Sequence, residues 1–360
     1  MKNHDATTEA KFDDGPRIDP DEAEARAREK AQSADNGTNP AEEDEEPLIE
    51  VFSPKELRSY VTPVGYNLVG NYHITRGGLS VLAGAPGVGK SRVATALAVC
   101  GSVAFPWFGY TVSRKFKTLI IQSQNGRVRL KTEYDELGTA VDQYIKVSGP
   151  PRRGLAFNNA KFRDQLGKII AEFGPDLIII DPWNNVAHDI TQKDYDTALS
   201  HIRLVVPSGD DSPAVFIICH TRKPQAHERA NGRALLNTVA GSYFLGAEAR
   251  SVFVLLTATD SPNDNRLVMT CCKNNDGELG QTRAWNPSDS GLYEEIKDFD
   301  WKSFYSYGKS KAAKGEERWR NVAIVIFDLG GEATKAQIVK ELLSRFEIAK
   351  AKLTNGSIKP

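Results

Sequence analysis

Between residues 51 and 298 the chain repeats one pattern: a short run of consecutive apolar, often β-branched residues, then a stretch of helical character. The runs are LSVLAG at 79–84, KTLIIQS at 117–123, DLIIID at 176–181, AVFIICH at 214–220, ARSVFVLL at 249–256 and RLVMTC at 266–271. Strands apolar at successive positions leave no side for water, so both faces of their sheet must be covered. Strands separated by helices pair in parallel. The expected fold is α/β, with a mostly parallel sheet in one core domain over residues 49–298. Residues 299–315 read as a linker whose basic part is KSKAAKG. In 316–360 two helical patterns, RWRNVAIVIFDL and KAQIVKELLSRF, are split by GGEAT. This predicts a small helical segment resembling a helix-turn-helix, with Val322, Ile326, Ile338, Leu342 and Ile348 as its core.

Residues 1–48 break the pattern. They contain almost no aromatic or branched apolar residues and close on AEEDEE, so disorder is expected. Residues 1–50 hold 16 acidic and 6 basic side chains, so the overall net charge of -1 conceals a mildly basic body. The acidic arm is either a plain solvated tail or a mimic of DNA that screens a binding face. No apolar run approaches the roughly 18 residues of a bilayer span, and no hydrophobic segment follows Met1, which predicts no membrane association and a cytoplasmic protein. Cys100, Cys219, Cys271 and Cys272 lack metal-ligand spacing, so reduced, buried thiols are expected.

The chemistry concentrates at GAPGVGKS, residues 84–91, which lies between the strand LSVLA and the helix SRVATALAV. This is a phosphate-binding P-loop in its required context. Gly84, Ala85, Pro86, Gly87, Val88 and Gly89 let backbone amides turn inward around a phosphate, Lys90 reaches the β- and γ-phosphates, and Ser91 and Arg92 open the helix. ATP and Mg2+ are the expected ligands, with Ser91 and Asp181 holding the metal. Asp181 ends DLIIID, at the carboxyl edge where parallel sheets bind ligands. The alternative for Asp181 is a turn cap before Pro182.

The segments ITRGGLSVLAGAPGVGKS, IIQSQNGRVRLKTE, IIIDPW, IICHTRKP, AGSYFLGAEAR and CCKNNDGELG follow one another over about two thirds of the chain. In this order they resemble the RecA-like ATPases of the plasmid RepA and replicative hexameric helicase type. The resemblance implies a homo-oligomer, a hexameric ring, with ATP between subunits, single-stranded DNA in the channel and a possible replication partner at the termini. It makes His220 a polar sensor of the γ-phosphate, against the alternative of a satisfied core histidine. Arg222, Lys223, Arg229 and Arg233 then belong to a DNA-facing loop, or else to an exposed charged one. Trp183 either stacks on a base or packs. In the family's KxRxG pattern Lys273 matches the lysine, but Asn275 replaces the arginine finger. Arg250 is the substitute, or a structural salt bridge.

The family also carries a glutamate at the end of the second strand to activate water, and the alignment puts Gln124 there. A neutral amide can hold water but cannot take its proton. The chain is then a hydrolysis-trapped variant or a naturally slow enzyme, unless the register is misread by two residues. The expected activity is an ATP-driven DNA helicase or translocase. The alternatives are a RecA-like oligomeric switch or scaffold, and a recombinase-type filament.

Overall fold

The computed structural model describes residues 49–186, 192–222, 232–239, 243–259, 261–288, 291–305, 322–329 and 334–345. The acidic arm expected over 1–48 lies outside them, as do Lys223, Arg229 and Ile348. The chain divides into two units at Val61 and Thr62. In the first, helix α1 (Pro54–Ser59) starts with a capping box in which Ser53 and Glu56 satisfy each other's backbone amides.

The second unit is built on a sheet that, among the described residues, has nine strands: β3 (Leu79–Gly84), β4 (Thr118–Gln122), β5 (Ile145–Val147), β6 (Leu177–Asp181), β7 (Ala214–His220), β8 (Ser251–Thr257), β9 (Leu267–Asn274), β10 (Arg283–Pro287) and β11 (Tyr293–Glu295). Its order is β11-β10-β9-β8-β3-β7-β6-β4-β5. β8, β3, β7, β6, β4 and β5 run parallel, and β9, β10 and β11 extend the sheet antiparallel beyond β8. A separate two-stranded ribbon joins β1 (Asn67–Val69) and β2 (Ile74–Thr75). All six runs read from the sequence are strands.

Side chains alternate between the two faces of a strand. Leu82, Ile120, Ile179, Phe216, Ile218, Phe253 and Leu255 pack on one side with α2 (Lys90–Val103) and Trp107. Val81, Ile121, Ile178, Ile180, Ile217 and Val254 pack on the other with Leu166 and Phe173 of α4 (Ala160–Phe173) and with Ala198, Leu199 and Ile202 of α5 (Gln192–Arg203). Between these helices in the chain, α3 (Arg127–Asp135) follows β4 and contributes no buried residue. No described helix is long and apolar enough to cross a membrane.

The expectation of a linker starting at 299 needs correction. Phe299 and Phe304 are buried against Ala258, Val268 and Ala284, which extends the packed body through a short helical segment at 301–305. Aromatic rings every few residues, FDWKSFY, carry this segment onto the sheet edge. Further on, helices occur at 322–328 and at Lys335–Arg345, the second opened by reciprocal Thr334 and Gln337 hydrogen bonds. Ile338 is buried, Val322 and Ile326 are half-buried, and Val325 is buried in addition to the expected set.

The P-loop helix approaches the sheet closely at Gly101, where an added Cβ would lie 2.3 Å from the buried Phe116 ring. Gly101→Ala should lower stability despite its better helix propensity, by about 1–3 kcal/mol of overpacking against about 1 kcal/mol of gain. Urea denaturation measures it, and an unchanged or higher midpoint contradicts this packing.

Candidate nucleotide site

Parallel pairing sets the site. Gly84 at the end of β3 is level with His220 at the end of β7, and Gln122 at the end of β4 is level with Asp181 at the end of β6. The four ends open on one edge, and the loop 85–89 folds over it into α2. Gly87 and Gly89 have φ of 76° and 93°, a region that side chains resist, with nothing near their absent Cβ atoms. Gly84 is constrained differently, because a Cβ there would meet Val88 at 2.8 Å and the Leu255 carbonyl at 3.0 Å.

A cavity of about 450 Å3 lies against this edge, lined among others by Gly87, Lys90, Ser91, Gln124, Asp181 and His220. Lys90 is buried, and its Nζ donates to the carbonyls of Gly84 and Ala85 at 3.0 and 2.9 Å. The same Nζ lies 3.2 Å from His220 Nδ1. An ammonium only donates, so Nδ1 accepts and the imidazole is neutral. Burial lowers the His220 pKa, and the Lys90 charge lowers it further. Burial likewise lowers Lys90, opposed by Cys219 and Asp181. Asp181 is 9% exposed. Burial raises its pKa, and the Ser91 hydrogen bond and the Lys90 charge pull it back down.

The Ser91 hydroxyl and Asp181 carboxylate are hard oxygen donors in mutual contact, and their chemistry fits Mg2+. Among the described residues no group of three or more His, Cys, Asp or Glu could hold a metal alone. A magnesium here would therefore rely on phosphate and water for its remaining ligands.

Gln124 is exposed and lines the cavity, while Gln122 is buried and absent from its lining. Gln122, not singled out from the sequence, has a structural part here. Its Oε1 accepts from the backbone amides of Gln124 and Asn125, and its Nε2 donates to the carbonyls of Asn125 and Ser148. This amide shapes the turn that presents Gln124. A polar residue closing an apolar strand run is the signal that could have revealed it.

Other expected residues stand elsewhere. Trp183 is fully buried among the side chains packed beneath the sheet and cannot stack on a base. Arg250 forms a two-pronged salt bridge with Asp276, at 3.0 and 2.8 Å, as its structural alternative had it. Lys273 donates to the carbonyls of Gly246 and Ala247, capping helix α6 (Tyr243–Glu248). Neither lines the cavity. Arg222 is tied to the far end of its own loop: its Nε donates to the Asn237 carbonyl, its backbone amide donates to Thr238, and Thr221 bridges Val239. Arg233 is exposed on the 3-10 helix Gly232–Thr238.

Comparison with known families covers the strands and loops that carry this edge. Residues 53–226 match the AAA domain family. The matched AAA stretch includes the P-loop, Gln124, Asp181 and His220 and supports a P-loop NTPase; it stops before β8. No curated protein matches the chain.

The Lys90–His220 contact can be tested by NMR titration. The His220 midpoint should fall below 6.5, the ordinary value, and Lys90→Ala should move it up by removing the adjacent charge. Since the unfolded imidazole takes its proton first as pH falls, His220 contributes stability above 6.5 and loses it towards the folded midpoint. A midpoint at or above 6.5, or one indifferent to Lys90, contradicts the contact.

Proposed function

We propose that the protein is an ATP-hydrolysing, ring-forming translocase on single-stranded DNA, of the kind that serves replication of a phage, plasmid or other mobile element. The observation that carries this reading is the shared edge of β3 and β7, where Lys90 touches His220 and the basic segment begins at the next two residues. Contact of the γ-phosphate with Lys90 would compete for the ammonium now shared with His220. Any shift of His220 passes through one peptide link to Thr221, which bridges Val239, with Lys223 and Arg229 between them in the sequence. Fuel and grip would then be coupled through a covalent strand end.

Within the site, Lys90 and the amides of residues 85–89 would bind the phosphates, Ser91 and Asp181 would hold Mg2+, and Gln124 would orient the attacking water without taking its proton. The metal would supply charge neutralisation between the phosphates. Arg250 and Lys273 are occupied within their own chain, so a cation from a neighbouring subunit would come from another residue. Slow turnover through Gln124 equally suits a nucleotide-controlled oligomeric switch that does not translocate.

Lys90→Ala should abolish ATP binding, and Asp181→Asn should retain binding while losing Mg2+-dependent turnover; equal activity in both variants refutes the site. Gln124→Glu should raise DNA-stimulated ATPase about a hundredfold or more at equal ATP affinity. A gain below tenfold removes residue 124 from the mechanism. ATP-dependent unwinding of a forked duplex separates a translocase from a switch, which would assemble with ATP yet leave the duplex intact.

A further inference from the structure

The cavity has a second end that the P-loop chemistry does not use. Arg92, Arg129, Glu133 and Pro287 line it and also line an adjoining recess of about 210 Å3, together with Thr95, Val99 and Leu292. Gly87, Lys90, Ser91, Asp181 and His220 do not border that recess. The four shared residues therefore mark the junction of the cavity with this recess. Tyr293 completes this end as a wall, its ring 4.7 Å from Phe108.

Arg129 and Glu133 stand four residues apart on α3, hence on one face of it, and both line the cavity. Glu133 is half-buried, and among the described residues it has no hydrogen-bond or ion-pair partner. Burial first, and Glu133 in addition, push the Tyr293 phenol up to about 12 while Arg92 pulls it down, so the three groups share one field. The helix carries Glu133 about 9 Å beyond its start at Arg127. From there its charge still reaches Asp181, whose pKa it raises.

An ionised carboxylate only accepts hydrogen bonds, and it repels phosphate oxygens. In a nucleoside triphosphate held by its phosphates at residues 84–91, the groups able to donate are the ribose hydroxyls and the base amine. We propose that Glu133 is the acceptor for the donor groups at the nucleoside end, a specificity-determining residue that reads the nucleoside and not the phosphates. This rests on the nucleotide reading of the P-loop and adds to it a site for the other half of the ligand.

The test compares the Mg2+ complexes of ATP and inorganic tripolyphosphate by calorimetry. Glu133→Ala should weaken ATP about tenfold to a hundredfold, the loss of a charged acceptor. Tripolyphosphate should bind as before or more tightly, since a like charge has gone. Glu133→Gln keeps one acceptor oxygen and should lose less. Because Glu133 has no hydrogen-bond or ion-pair partner among the described residues, both variants should keep the thermal midpoint of the parent, which is measured alongside. On the parent protein, 2′,3′-dideoxy-ATP and the triphosphate of purine riboside separate the sources: the analogue that binds as weakly as ATP binds the alanine variant lacks the donor Glu133 reads. Unchanged ATP affinity in Glu133→Ala, an equal change for both ligands, or full affinity for both analogues overturns the proposal. Failure of the P-loop reading shows separately, as Lys90→Ala leaving tripolyphosphate binding intact.

Discussion

Everything at the site follows from the parallel register of β3, β4, β6 and β7. Because the pairing brings Gly84 level with His220 and Gln122 level with Asp181, four chain segments separated by up to 136 residues end on one line. The positions of Lys90, Ser91 and Gln124 then need only short turns from that line. Buried apolar alternation on two faces holds the register, since a one-residue slip would invert every side chain of a strand. A core substitution that loosened β6 or β7 would therefore disturb the cavity without touching it.

Lys90 shows how burial and electrostatics share the work. Its ammonium has lost most of its water, and the carbonyls of Gly84 and Ala85 with His220 Nδ1 replace that hydration. Asp181 is in the complementary position, a buried carboxylate steadied by a hydroxyl and a nearby cation. Each is costly alone, and each lowers the cost of the other.

The central strands and the phosphate loop were legible in the sequence because consecutive apolar residues and a glycine-spaced loop have few other physical solutions. Strand β5, with the pattern Ile145, Lys146, Val147, and the β10–β11 hairpin were not, since strands of three to five residues with polar members carry no clear period of their own. Lys90, Ser91, Gln124, Asp181 and His220, singled out from the sequence, line one cavity. Glu133 was hidden by its surroundings: in RVRLKTEYD it looks like one more solvated charge, and only the folding of α3 beside the P-loop helix turns it inward. For Trp183 and Arg250 the fold takes the alternative that the residue type also allowed, burial in the core for one and a salt bridge to Asp276 for the other.

Both margins of the nine-stranded sheet are three residues long, and both carry charge: Lys146 on β5, Glu294 and Glu295 on β11. Short charged margins offer little ladder on which another chain could zip its backbone. Copies of this protein are thereby discouraged from joining into a continuous sheet. Whatever assembly it enters must be selected by side-chain complementarity, which can be made to depend on a bound ligand in a way that backbone ladders cannot.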